Sequence, residues 1–449
     1  MPEILILGAG RSASYLIDYL LDWSKNHSYT IRIADQSVTH LENLKAQNNH
    51  LEIQAANIGD ADQRLVLIKG AFIVVSMLPA FMHPLVAKDC LTLGIHLATA
   101  SYESKELQSM SDEIASKGLI FLNECGLDPG IDHMSAMKIF ENLKNQGYKV
   151  TEFHSYCGGL VAPSSIGDNP WGYKFSWNPR NVILAGQGTA RFLEQGKLRF
   201  MPYNRLFANS TRLDINGIHY DGYPNRDSIG YREVYGLHDL QTMIRGTLRF
   251  AGFTKAWDVL VQLGLTDDSY KFPISSGMTY RDFTTAFFCA DNHQSIEEQL
   301  LELTKGDQEA ADRFVWTGLL SEEKITIQEG TPAMIVQELL EKRWKLMPAD
   351  RDMIVMQHIV KGEKEGEQIE IKSTLYLEGD NSQQTAMAKT VGLPLAIAVK
   401  LICSDQFNQP GLFIPVVPEL FNPILQELEE EFGIIFNESE EKIRSGIPV

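Results

Sequence analysis

The chain is poor in cysteine, short of positive charge and without a long apolar run. Its five cysteines, at 90, 125, 157, 289 and 403, are dispersed without paired spacing. That pattern argues against a disulfide framework or a zinc module and predicts a reducing compartment, with a cytoplasmic location expected. Lys and Arg number 40 against 58 Asp and Glu, a formal net charge of −18. So acidic a chain lacks the basic footprint of nucleic-acid or acidic-membrane binding, and neither partner is expected. No segment approaches ~18 uninterrupted apolar residues, so no membrane span is expected. The opening "MPEILILGAG" enters a strand at once, which predicts no signal peptide. Internal repeats and low-complexity tracts are also missing. What is there is 449 residues, 44 % hydrophobic and 22 % charged, the make-up of a globular protein of two or three domains.

Over residues 1–128, short apolar runs recur: "ILILGAG" (4–10), "TIRIAD" (30–35), "LEIQAAN" (51–57), "AFIVVSMLP" (71–79), "IHLATAS" (95–101) and "LIFLNEC" (119–125). Stretches with helical spacing, such as Ser14–Trp23 and His83–Leu93, separate most of them. Strands rich in Ile, Val and Leu alternating with helices predict a doubly wound α/β domain with a parallel sheet. The first strand runs into Gly8-Ala9-Gly10-Arg11-Ser12-Ala13, a G-x-G-x-x-A turn opening a helix. Gly8 permits the tight turn, Gly10 lets backbone approach a pyrophosphate, and Ala13 lets helix pack on strand. The second strand ends in Asp35, where a carboxylate can accept from the ribose hydroxyls of NAD and repel a 2′-phosphate. With no Lys or Arg close behind it, NAD is expected over NADP.

In such a sheet, ligands collect beyond the carboxyl ends of the strands. The polar tails Ser76–Pro79, Thr99–Tyr102 and Asn123–Asp128 are therefore expected to share one crevice. The stretch "LIFLNECGLDPGIDHM" (119–134) gathers Glu124, Cys125, Asp128, Asp132 and His133 within about one turn, more ionisable groups than a plain loop needs.

Residues 129–383 read as a second, substrate-binding α/β domain with a large mixed or antiparallel sheet. Its early part mixes aromatics with Gly, Pro, Ser and Asn, and Leu213–Tyr220 suggests a hairpin. Between Trp171 and Lys255 lie twelve of the 40 basic residues but only six of the 58 acidic ones. A locally cationic lobe on an anionic chain suits a substrate with several carboxylates, which Arg binds through two parallel hydrogen bonds. Arg226 in "YPNRDS", with Arg245 and Arg249 in "IRGTLRF", are the candidates; surface salt bridges are the plainer alternative. Helix 332–347 and two strands, "RDMIVMQHIV" and "EQIEIKSTLYL", follow. The apolar helix 384–402 is expected to pack back on the first domain, leaving 403–449 as a C-terminal segment.

The succession "GAG", "SMLP", "TASY", "GLDPGIDHM", "NPWGYKFSW", "GYPNRDS", "RGTLRF" and "AMAKTVGLP" resembles the glutamate-forming saccharopine dehydrogenase family from the first strand to past residue 400. The resemblance implies a Rossmann domain joined to an α/β substrate domain, a homodimer, and oxidation of saccharopine, a multi-carboxylate amino acid, to glutamate and 2-aminoadipate 6-semialdehyde. It implies cofactor contacts at Gly8, Gly10, Arg11, Ser12, Ala13, Asp35, Ser76, Met77, Leu78 and Ser176. It implies substrate contacts at Ser101, Tyr102, Asp128, Arg226, Thr247 and Arg249. Asp128 and Tyr102 are the catalytic candidates, with His133 and Cys157 as further proton-handling groups and Asp132 as a helix cap. Arg11, Asn57 and Val161 depart from the usual family residues. Asp35 stands where NADP-using fungal members tend to carry Arg nearby, again favouring NAD. A carboxynorspermidine-type imine reductase and a non-catalytic nucleotide-binding regulator are the rival readings.

Overall fold

The structure, a computed structural model, describes residues 1–289 and 294–444, and for 443 and 444 the backbone only. The last five residues of the segment expected over 403–449 lie outside the described residues. Two compact units divide the chain: Met1–Gly147 with Gln383–Phe436, and Tyr148–Ser382 with residues 437–444.

In the first unit, strands β1 (Glu3–Leu7), β2 (Thr30–Asp35), β3 (Leu51–Ala55), β4 (Ile73–Ser76), β5 (His96–Thr99) and β6 (Ile120–Leu122) pair in the order 3-2-1-4-5-6, every contact parallel. That is the doubly wound order with its switch point between β1 and β4. Ile4 to Leu7 and Ile73 to Val75 have no exposure, which is why these strands read as unbroken apolar runs. Helices α1 (Ser14–Ser24), α2 (His83–Leu93) and α3 (Ile131–Asn145) follow β1, β4 and β6.

The second unit is built on a nine-stranded mixed sheet. Its central run is β7 (Lys149–Val161), parallel to β12 (Thr242–Phe250) and antiparallel to β13 (Asp352–Lys364). On one side the hairpin β10 (Thr211–Ile215) and β11 (Ile218–Pro224) continues from β12, and β8 (Thr189–Glu194), paired with β9 (Lys197–Pro202), meets the start of β12 where Leu193 faces Met243. On the other, β13 forms a long hairpin with β14 (Glu367–Glu378). Helix α4 (Phe253–Leu263) contributes Phe253 and Trp257 to an aromatic cluster with Trp171, Tyr173 and Trp344.

The chain then returns to the first unit. Helix α6 (Ala386–Cys403), which follows α5 (Pro332–Arg343) in the chain, packs along α1. It is long and apolar enough to cross a membrane by length and composition, but 78 % of it is buried within the fold. Strand β15 (Gly411–Phe413) adds a seventh parallel strand beside β6, α7 (Pro418–Phe432) follows, and β16 (Phe436–Arg444) pairs with β14.

Candidate functional site

The glycine turn after β1 is shaped by close approach. Gly8 sits at φ 93, and a Cβ there would lie 3.1 Å from the Met77 carbonyl oxygen. Gly10 has open space where its side chain would be. Helix α1 starts with no side-chain cap, and among the described residues the buried Ser14 Oγ has no partner. An uncapped positive helix end, a partnerless Ser14 Oγ among the described residues and open space over Gly10 fit a dinucleotide pyrophosphate. Exposed Arg11 and half-buried Ser12 form the rim, and buried Ala13 closes the turn through its N–H to Gly10 O at 3.0 Å.

Asp35 is occupied locally. Its Oδ2 accepts the Ala9 amide at 2.7 Å and its Oδ1 the Ser37 amide at 3.1 Å. Arg32 is equally committed, to Glu3 Oε1 at 2.6 Å and the Leu67 carbonyl at 2.7 Å. His40 Nε2 lies 3.1 Å from Ala9 O, beside the same turn.

Past β4, Ser76 is buried with its Oγ 3.0 Å from His83 Nδ1, and its carbonyl accepts from Thr99 Oγ1 at 2.8 Å. Burial pushes the His83 imidazole down to about 4, so it stays neutral as it holds Ser76. Met77 and Leu78 are half-buried where they approach Gly8.

The two crowded strand tails come together. Ser101 N–H reaches Thr99 Oγ1 at 3.2 Å, and the Tyr102 hydroxyl donates to Asp128 Oδ1 at 3.0 Å. From Leu119 to Met134 every residue except Asp128 is buried. The segment doubles back so tightly that a Cβ on Gly130 would fall 2.1 Å from Gly126 O, which explains the glycines. Asp132 Oδ1 accepts Gly130 N–H at 2.7 Å at the start of α3, a helix-terminal role. His133 Nε2 lies 2.9 Å from Glu124 Oε2. Glu124, counted among the crowded ionisable groups of 119–134, carries no role in the sequence alone; its local sign is a carboxylate at the end of an apolar run.

In the second unit, Arg245, Thr247 and Arg249 alternate along one face of β12. Arg249 is 3 % exposed, its guanidinium 5.0 Å from the Tyr173 ring and 5.5 Å from Phe253, with Nε unpartnered among the described residues. Arg245 stacks 4.2 Å over Tyr231. Half-buried Thr247 pairs in register with Tyr223 and Cys157. Arg226 is exposed, at φ 41 in a turn whose carbonyl accepts from Arg191 at 2.7 Å. Buried Ser176 has an Oγ without a partner among the described residues. A cavity of ≈ 490 Å³ lined by Asp168, Trp171, His219 and Phe250 contains none of the expected site residues.

Residues 4–122 match the saccharopine dehydrogenase NADP binding domain, and residues 126–434 the saccharopine dehydrogenase C-terminal domain. The chain belongs to the saccharopine dehydrogenase family. It is 33 % identical over 447 residues to a saccharopine dehydrogenase [NADP(+), L-glutamate-forming] of Saccharomyces cerevisiae, covering 97 % of this chain and 98 % of that one. The mouse mitochondrial alpha-aminoadipic semialdehyde synthase is 32 % identical over 445 residues. Of that protein the chain spans about half the length, 47 %. The solved apo saccharopine dehydrogenase (L-Glu forming) of S. cerevisiae superposes with a TM-score of 0.86 at 31 % identity, over 98 % of this chain and all of that one.

One expectation is corrected. The family's nucleotide domain is described as NADP binding, and the full-length fungal relatives are NADP(+) enzymes, against the preference for NAD drawn from Asp35. The structure gives Asp35 a role independent of the nucleotide, since each of its oxygens accepts a backbone amide of the turn, so its presence at the strand end does not by itself select NAD.

Proposed function

We propose that this chain is a glutamate-forming saccharopine dehydrogenase using NADP. The observation that carries the reading is the Tyr102–Asp128 contact at the carboxyl end of the parallel sheet. There the one residue of a buried polar loop left accessible meets a phenol from the neighbouring strand tail. Likeness to the yeast enzyme over nearly its whole length supports it. The rival imine reductase of a polyamine would need carboxylates to hold its substrate, whereas the unit carrying Arg226, Arg245 and Arg249 is locally basic.

NADP, when bound, supplies the hydride acceptor. The uncapped start of α1 would hold its pyrophosphate, with Gly10, Arg11, Ser12 and Ala13 around it and Ser76, Met77 and Leu78 beside the turn. Oxidation at the secondary amine of saccharopine requires that amine unprotonated, and the resulting imine is then hydrolysed. Asp128 would take the amine's charge or proton, and Tyr102, bonded to it, would orient the carboxylate and relay a proton. Arg226, Thr247 and Arg249 would bind substrate carboxylates, Arg in bidentate fashion. Binding in one geometry contributes much of the rate, because it removes entropy from the reacting step. The test is reduction of NADP by saccharopine with glutamate as product; binding of NADP without saccharopine-dependent NADPH would instead mark a nucleotide-binding regulator.

A further inference from the structure

The ionisable groups gathered in "NECGLDPGIDH" are only partly used by the proposed chemistry: Asp128 is accessible, while Glu124, Asp132 and His133 are 3 %, 2 % and 0 % exposed. Burying such groups is costly unless each is paired, and an apolar cluster would pack as well. Glu124 also adopts φ 57, a left-handed backbone that a side chain other than Gly or Asn rarely takes. Two unfavourable choices at one residue call for a return.

That return is visible in the segment after β5. Glu124 N–H donates to Ser101 O at 2.9 Å, and its Oε1 accepts the Glu103 amide at 3.0 Å. These two bonds bracket Tyr102, whose hydroxyl meets Asp128 at 3.0 Å. The other oxygen, Oε2, is held 2.9 Å from His133 Nε2, and His133 Nδ1 lies 3.6 Å from Asp132 Oδ2. Asp132 in turn fixes Gly130 N–H at 2.7 Å. A continuous polar chain thus runs from the start of α3 through His133 and Glu124 to the residues on either side of Tyr102.

We propose that Glu124 and His133 are positioning residues of the reaction: they clamp residues 101–103 so that the Tyr102 phenol meets the Asp128 carboxylate. This rests on the saccharopine dehydrogenase reading, because it assigns them to that reaction. An ångström of misplacement at a reacting centre is enough to cost about a hundredfold in rate.

The test combines a double-mutant cycle with hydrogen exchange. In wild-type background Glu124→Ala lowers kcat for saccharopine about 10- to 100-fold, with the KM for NADP unchanged. In a Tyr102→Phe background the same change costs less than about threefold, because the group it acts through is gone. Glu124→Gln, which keeps an oxygen for the Glu103 amide, recovers most of the activity. In the cofactor-free protein the Glu103 amide is protected from exchange, loses protection in Glu124→Ala and regains it in Glu124→Gln. Should Glu124→Ala fail to fold, His133→Asn carries the same cycle, being too short to reach Oε2. Equal losses in both backgrounds, or unaltered Glu103 exchange, overturn the inference. A wild-type chain inactive on saccharopine overturns the functional reading instead, and the exchange measurement still decides the clamp.

Discussion

Gly392 of α6 lies so close to α1 that a Cβ on it would stand 2.9 Å from the Leu16 backbone nitrogen and 3.3 Å from Ser12 O. The missing side chain lets the returning helix seat against the helix that opens the nucleotide turn. Gly392→Ala gains helix propensity worth ~1 kcal/mol. It also forces backbone apart in a close-packed contact, which costs roughly 1–3 kcal/mol. The overpacking term wins, because a backbone atom is the obstacle and cannot rotate away. A lower melting temperature and weaker NADPH binding by fluorescence titration are expected; an unchanged melting curve would show that α6 can shift freely.

Asp35→Ala removes the acceptor of two backbone amides, those of Ala9 and Ser37. An unsatisfied amide at a half-buried turn costs about 1–3 kcal/mol. The variant should melt earlier and bind nucleotide more weakly, while Asp35→Asn, keeping one carbonyl oxygen, should fall between. If calorimetry finds Asp35→Ala as stable as the parent, the carboxylate is not what closes the turn.

His83 gives a pH prediction with a definite sign. Burial lowers its pKa from 6.5 to about 4 in the folded chain. The unfolded chain therefore binds the extra proton between those values, and stability falls as pH drops from 6.5 toward 4. The linked loss is on the order of 3 kcal/mol at the lower end. His83→Gln should flatten this part of the stability curve, since glutamine does not titrate. Chemical denaturation at pH 6.5 and 4.5 reads the difference; equal slopes in both proteins would refute it.

Asp128→Asn keeps an oxygen for the Tyr102 hydroxyl but removes the negative charge. If Asp128 handles the amine's charge or proton, kcat should fall roughly 10²- to 10⁴-fold. NADP affinity should hold, because the phosphates are assigned to the glycine turn and the start of α1 rather than to this loop. Steady-state kinetics with separate titration of each substrate checks the split; a loss only in the KM for NADP would place Asp128 elsewhere in the reaction.

The buried parallel strands were legible because burial on both faces leaves unbroken Ile, Val and Leu runs, as in Ile4–Leu7 and Ile73–Val75. Strand β15 was not, since three residues become a strand only by finding the free edge of β6, a long-range event without local pattern. The 13-residue β7 was hidden by its glycines, which read as loop. A Cβ on Gly158 would meet Leu248 O at 2.8 Å, so the glycine marks a close approach within the sheet. At the candidate site, the glycine turn stood out by its spacing and the loop of 119–134 by its density of ionisable groups, while the role given to Asp128 came from the family resemblance. The bond of Asp35 to the Ala9 amide, and the Tyr173 ring beside Arg249, depend on contacts far along the chain.

Arg226 and Arg249 should respond differently to substitution, because one is exposed and the other buried over aromatic rings. Arg226→Ala gives up no packing, so its melting temperature should stay within about 1 °C, as for most exposed sites. If it binds a carboxylate, the KM for saccharopine should rise about tenfold or more, with that for NADP unchanged. Arg249→Lys keeps the charge but loses the planar fork and the stacking on Tyr173 and Phe253. It should therefore lower both stability and saccharopine affinity, where Arg226→Lys costs affinity alone. Parallel melting curves and saccharopine titrations decide: an Arg249→Lys enzyme with unaltered saccharopine KM would make that arginine a packing residue, leaving Arg226 to carry the carboxylate.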